Sequence, residues 1–289
     1  MPALIVGAHP QNISLSVLAR RRDYVEDLKK KGLEFFIYSA GAHTIPLVEL
    51  GVIDIAGTGA TPPILAKAKG LDVAVFGISA PRFENGGLCV RADSPFHTIQ
   101  DLKGRGIALM PISWHTQFTA VELANAGIEW KEVNAVELLP ATARDAYEQG
   151  LLDAVVLTDP LYSLVAAKVP TRVLASPGQA FTNRSVYWAP HRVLRDHPDA
   201  VHTLLVALAE SDQQTQENPA EAAALLEGVN GHTAAQWLGA ITARDWGVSQ
   251  PDPGFLAEQQ SHADIFARFG LIPKQIDVSD TVDSSFLPL

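Results

Sequence analysis

A chain of 289 residues, 47% hydrophobic and 19% charged, can bury about three quarters of its unfolded surface and is too apolar for disorder. Its formal net charge of −10 argues against a nucleic-acid partner, which needs clustered Lys and Arg, and no apolar run is long enough to insert in a membrane. One cysteine, Cys89, excludes an internal disulfide and any multi-cysteine metal site.

The opening "MPALIVGAHP" has no charged n-region and too short an apolar segment for a secretory signal. The expected location is the cytoplasm if Met1 is the native start, and periplasmic or lipid-anchored outside the cytoplasm if a signal was removed. A first strand is expected from Ala3 to Val6, followed by one helix over "ISLSVLARRRDYVEDLKKKGL", with Gly32 as its stop. The basic run Arg20, Arg21, Arg22 and Lys29 to Lys31 is read as the solvated face of that helix. Next come the strand "EFFIYSA", a short helix from Pro46 to Leu50 ended by Gly51, and the strand "VIDIAG". The helix "PPILAKAKG" and the strand "LDVAVFGIS" follow.

After an extended "GGLCVRADSP", Asp101 and Leu102 begin a helical turn before the strand "GIALM". "SWHTQFTAVELANAG" reads as an amphipathic helix, followed by a strand near "WKEVNAVEL", the helix "ATARDAYEQG" and the strand "LDAVVLTD". "LGVIDIAGTGATPP" is echoed one α/β unit later by "QGLLDAVVLTDP". Each is a helix-ending Gly, two apolar residues, Asp and a strand, so each lobe of a two-lobed α/β protein has its own copy. Asp54 and Asp153 are read as structural bonds at those corners. From Pro198 onward the patterns are mainly helical, and two extended segments near 86–92 and 183–190 suggest a hinged cleft.

Four runs carry a resemblance: "GVIDIAGTGATPPILAKAKG", "VRADSPFHTIQDLKG", "ARDAYEQGLLDAVVLTDPLYS" and "ADIFARFGLIPKQIDV". They resemble the solute-binding proteins of aliphatic sulfonate, taurine and nitrate ABC importers. The resemblance covers nearly the whole chain. It implies a type II periplasmic-binding-protein fold, α/β with extra C-terminal helices, in which two crossing strands hinge the lobes. Lobe one would be 1–86 with 188–289 and lobe two 87–187, the ligand cleft lying between them. It further implies capture of a small organic anion, an ABC permease as partner, no cofactor, and a monomer.

"GAHPQN", "SAGAHT" and "VRADSP" also resemble the cytoplasmic aromatic sulfinate desulfinases of the same fold. That branch implies a nucleophilic cysteine where this chain has His9, a histidine matched by His43, and an arginine that "IDIAGTGATPP" does not supply. His43 would be the catalytic residue if the protein is an enzyme. A regulatory sensing domain is a third reading, with no attached DNA-binding segment to support it.

In a parallel α/β lobe, ligand sits at the C-terminal ends of strands. The loops there place His9, Gln11 and Asn12, Gly41 and His43, Thr58 and Gly59, and Ser79 around a candidate pocket. Ser113, Trp114, His115, Thr116 and Asp159 join them from the second half. These groups suit an anion held by uncharged donors, with a helix N-terminus at "PISWHTQF" supplying free N–H groups and a Ser113 or Thr116 hydroxyl. Arg184 is the best charged candidate and Arg82 a weaker one. Trp114 and Trp188 are candidate apolar walls. His9, His43 and His115 could form an open zinc site, but they lack ligand spacing, and hydrogen-bonding pocket histidines are the preferred reading. "GTGATPP" is not a nucleotide motif.

Overall fold

The computed structural model describes residues 3–178 and 181–286. It opens with β1 (Leu4–Ala8), α1 (Ile13–Leu18), α2 (Arg22–Lys30), β2 (Leu33–Ile37), α3 (Thr44–Glu49), β3 (Ile55–Gly59), α4 (Thr61–Ala68) and β4 (Val73–Ser79). A crossing at residues 80–85 leads to β5 (Gly86–Arg91), β6 (Gly106–Leu109), α5 (Trp114–Asn125), β7 (Asn134–Glu137), α6 (Pro140–Glu148), β8 (Ala154–Thr158), α7 (Leu161–Ala166) and β9 (Thr171–Ala175). The chain then returns through β10 (Ser185–Pro190), α8 (His191–Asp196), α9 (Pro198–Glu217), α10 (Pro219–Ala224), α11 (Ala234–Thr242), β11 (Val248–Ser249) and α12 (Pro253–Arg268).

Two sheets result, ordered β11-β4-β10-β3-β1-β2 and β7-β6-β8-β5-β9. Each has a parallel set, β2-β1-β3 or β7-β6-β8, into which the strand that follows a crossing inserts antiparallel. β10 joins the first sheet from Ser185, ahead of the expected return at 188. Apolar residues of α1, α8 and α9 pack on one face of the first sheet, and those of α3 and α4 on the other. The second sheet is covered by α5 on one side and by α6 and α7 on the other.

The long helix expected after β1 is two helices. α1 ends at Leu18, and Arg21, extended at φ −76° and ψ 102°, starts α2. Arg21 is buried at this break, which corrects the reading of the basic run as wholly solvated. Arg21 is 8% exposed. Its guanidinium bonds Ser211 Oγ at 3.1 Å, Thr215 Oγ1 at 3.2 Å and Glu221 at 2.8 Å.

The echoed corners are one device used twice. Gly51 and Gly150 adopt left-handed φ of 68° and 73°, and the next N–H bonds back into the helix, Val52 to Leu47 O and Leu151 to Ala146 O. Asp54 Oδ2 then accepts from Ile5 N, and Asp153 Oδ2 from Gly106 N, each at 2.9 Å. The residues that follow, Ile55 and Ala154, pair with Val6 and Ile107. Each carboxylate therefore satisfies a backbone donor where a parallel ladder begins. We expect Asp54→Ala and Asp153→Ala each to lower stability by about 1–3 kcal/mol and leave ligand affinity unchanged, as read by denaturant titration and calorimetric binding.

Candidate functional site

The parallel strands of both sheets aim their C-terminal ends at a shared cavity of about 340 Å³. Pro10 and Gln11 reach it after β1, Ser39, Ala40 and His43 after β2, and Met110, Trp114 and His115 after β6. Leu139 to Ala141 follow β7, and Asp159 to Leu161 follow β8. The first crossing contributes Glu84, α6 contributes Arg144, and the C-terminal helical segment adds Asn230, His232, Trp237 and Arg244. Five of the sequence-predicted residues line it: Gln11, His43, Trp114, His115 and Asp159.

His9, Asn12 and Gly41 stand one layer behind. Gln11 Oε1 accepts from Gly41 N at 3.0 Å and lies 2.9 Å from His9 Nδ1. An oxygen that already accepts one N–H makes His9 Nδ1 the protonated ring nitrogen. A Cβ on Gly41 would come within 2.8 Å of the His9 ring, so glycine lets the ring lie flat behind the loop. Asn12 caps α1, accepting from Leu15 N at 3.1 Å.

The remaining candidates do not line the cavity, and each has another task. Ser113 caps α5, accepting from His115 N at 3.1 Å and donating to Met110 O at 2.7 Å. Thr116 also donates to Met110 O. Both hydroxyl protons expected to reach a ligand are thus spent on one carbonyl. Trp188 is no cavity wall: it is fully buried under the first sheet, and its Nε1 donates to Thr58 Oγ1 at 2.9 Å. Gly59 is one place where the two halves come close, since a Cβ there would lie 3.2 Å from Trp114 Cβ. Ser79 and Arg184 lock the crossings together through Arg184 Nη1 to Ser79 O at 2.6 Å and Ser185 N to Ser79 Oγ at 2.9 Å.

Glu84 and Arg244, which line the cavity, were missed in the sequence because their partners lie far apart in the chain, and Arg82, the weaker charged candidate, stands behind Glu84. Glu84 Oε1 accepts from Asn183 Nδ2 at 3.1 Å and Arg244 Nη2 at 3.3 Å, and Arg82 Nε lies 3.9 Å away. Arg82 in turn donates to Asn183 O at 2.6 Å and to its Oδ1 at 3.0 Å. Burial pushes the Glu84 carboxyl up, but Arg244, Arg82, the Thr158 hydroxyl and nearby His115 together hold the group below the usual range. The charged side chains lining the cavity, Glu84, Asp159, Arg144 and Arg244, balance one another, and the buried Arg82 behind Glu84 leaves the group with one positive charge in excess. Nε of Arg244 bonds Ala240 O, so its Nη1 is the nitrogen left without a partner among the described residues.

Burial lowers His9 and His115 to about 4. Both rings are neutral near pH 7 and act as hydrogen-bonding groups. His115 Nδ1 accepts from Met110 N at 3.3 Å, which leaves its Nε2 as the N–H. His43 is exposed and lines the other side of the cavity, while His9 is behind Gln11. Among the described residues, no cluster of three or more His, Cys, Asp or Glu is placed to hold a metal ion. Cys89 is fully buried, its Sγ 3.3 Å from Gly87 O, and burial pushes its thiol up to about 12. It is the structural thiol that its apolar neighbours suggested.

Known proteins resemble this one from end to end. A curated relative from Escherichia coli K12, a putative aliphatic sulfonates-binding protein, is 28% identical over 97% of this chain and 88% of its own. A second of the same description, from Bacillus subtilis 168, is 25% identical over 96% and 85%. The solved periplasmic aliphatic sulphonate binding protein SsuA of Escherichia coli superposes with a TM-score of 0.86 at 27% identity, covering 100% of this chain and 94% of that one. The alkanesulfonate-binding protein SsuA of Xanthomonas axonopodis pv. citri, solved with MOPS, gives 0.87 at 26%, covering 99% of each. The desulfurization enzyme DSZB, with a TM-score of 0.69 at 16% identity, shares the fold alone. The family described as NMT1/THI5 like matches residues 12–222, most of both lobes, and the chain belongs to that family.

Proposed function

We propose that this protein is the extracytoplasmic solute-binding component of an ABC importer, and that it captures a small organic anion of the sulfonate type and releases it unchanged. The observation that carries this reading is the cavity itself. Loops from both sheets line it, Arg244 brings a guanidinium to it and much of its wall is apolar, in a chain similar over its whole length to sulfonate-binding proteins. The two lobes are taken to divide at the crossings, close to 1–86 with 188–289 and 87–187, and the working unit is taken to be a monomer.

A cavity of about 340 Å³ is at the small end of ligand sites. Met110, Trp114, Leu139 and Leu161 supply apolar wall, so an alkyl or aryl body that buries roughly 100 Å² there gains about 2.5 kcal/mol. Charge comes from Arg244, with Arg82 behind Glu84 setting the net sign. The neutral His115 and the amide of Gln11 serve as short-range donors. Binding shifts the open–closed equilibrium only to the extent that ligand touches both lobes at once; Gln11 and His43 on one side and Trp114 and His115 on the other meet that requirement.

Three measurements test this reading. In a thermal-shift series of alkane- and arenesulfonates, sulfinates and carboxylates, a sulfonate at about 100 times its Kd should stabilise the protein by roughly 2.7 kcal/mol. The melting temperature then rises by about 5–10 °C, and mass analysis should return the compound intact; a hit that is consumed overturns the transport reading in favour of catalysis. Arg244→Gln should weaken binding of that sulfonate about tenfold or more, since a charge-assisted bond is worth roughly 1.5–3 kcal/mol. The ring resonances of His9 and His115 should stay at their neutral positions from about pH 8 down to about pH 5. Their lowered pKa values favour the neutral form in the folded state, so their contribution to stability is complete above the unfolded value and falls as pH drops toward about 4.

A further inference from the structure

Among the described residues that line the cavity, Trp237 is the one with a buried side-chain polar atom that lacks a hydrogen-bond partner. It lies on α11, is 4% exposed, and its Nε1 has no hydrogen-bond partner among the described residues. Two other indoles find acceptors within the protein: Trp188 Nε1 donates to Thr58 Oγ1 and Trp246 Nε1 to Ile241 O at 3.0 Å. A buried N–H without an acceptor is rare because its desolvation is not offset. Packing fixes this ring. It is clustered with Ile13 and Val17 of α1 and Ile241 of α11, and it meets the His232 ring edge-on at 88° and 5.6 Å. The N–H cannot turn away to find a partner elsewhere, and the ring borders the same cavity as Gln11, His115 and Arg244.

We propose that Trp237 is a ligand-binding residue, whose indole N–H donates to an oxygen of the bound organic anion, and that α11 is thereby a specificity-determining wall of the cleft. The inference rests on the anion reading above and adds to it a fixed donor from the C-terminal helical segment, which carried no sign of ligand contact in the sequence. An indole N–H donates and never accepts. It favours an occupant that presents sulfonate or carboxylate oxygen at this wall, and it disfavours one that presents an ammonium or amide N–H there. The ring's apolar face meanwhile extends the surface available to an alkyl or aryl body.

The test uses propanesulfonate and benzenesulfonate as probes on the full chain. In the wild-type protein, the indole N–H resonance assigned to Trp237 through its NOEs to His232 should move downfield on saturation with a bound probe. Trp237→Phe, which keeps an aromatic ring and removes the donor, should bind that probe roughly tenfold more weakly. A wild-type resonance that does not move on saturation overturns the inference, including where W237F is too unstable to assay. Equal affinity in a folded W237F does the same and leaves the anion reading standing. Failure of the wild-type chain to bind either probe, or any sulfonate or carboxylate of the wider series, removes the anion reading and this inference with it.

Discussion

One buried ionic knot holds the architecture together: the Glu84 carboxylate set among Arg82, Arg244 and Asn183. Its members come from the first crossing, the return crossing and the C-terminal helical segment, so three chain regions meet at one carboxylate. Taking such charges out of water costs several kcal/mol per ion. The arrangement is tolerable because each has a partner and Asn183 spans the gap, accepting from Arg82 and donating to Glu84. Asn183 does this from a left-handed backbone, φ 49°, a conformation asparagine tolerates better than most residues. The cost of leaving any one charge unpaired defines where the two crossings sit relative to each other.

The knot also explains the character of the cleft. The paired arginines attract an anion without placing a fully exposed lysine in the pocket. Around it, hydroxyls that looked available for a ligand are consumed by the scaffold: Ser113 and Thr116 by Met110 O, and Thr58 by Trp188. The groups left facing the cavity are few and separately mounted. This is the expected design of a site that must recognise a small ligand from two bodies at once.

A second set of bonds joins the lobes away from the cavity. Thr61 of α4 donates to Gln117 Oε1 of α5 at 2.7 Å, and Gln117 Nε2 lies 2.7 Å from His262 Nδ1 of α12. Since the amide oxygen already accepts, the amide nitrogen donates to the imidazole. α12 is tied to the first lobe through Gln259 Nε2 to Ala60 O and to the return crossing through Glu258 and Thr182. Arg268 pairs with Glu129 at its far end, and Ala263 and Phe266 pack with Ile64 of α4 and Ala120 of α5. The last helix is therefore a strap bonded and packed across both lobes.

Much of this was legible from local pattern. The repeated Gly-apolar-apolar-Asp corner identified two α/β units, because a left-handed glycine and a carboxylate accepting a neighbouring N–H are requirements of that turn wherever it occurs. Strand ends likewise placed Gln11, His43, Trp114, His115 and Asp159 at the cavity, since loops after parallel strands share one side of a sheet. Tertiary structure decided the rest. Arg21 read as a surface charge until Ser211, Thr215 and Glu221 surrounded it, and Trp188 read as a cleft wall until the first sheet enclosed it. Glu84 and Arg244 carried no motif, for their pairing joins segments distant in sequence. Periodicity and turn chemistry act between neighbours along the chain and can be read there, whereas burial and ion pairing depend on which distant segments the folded packing brings into contact.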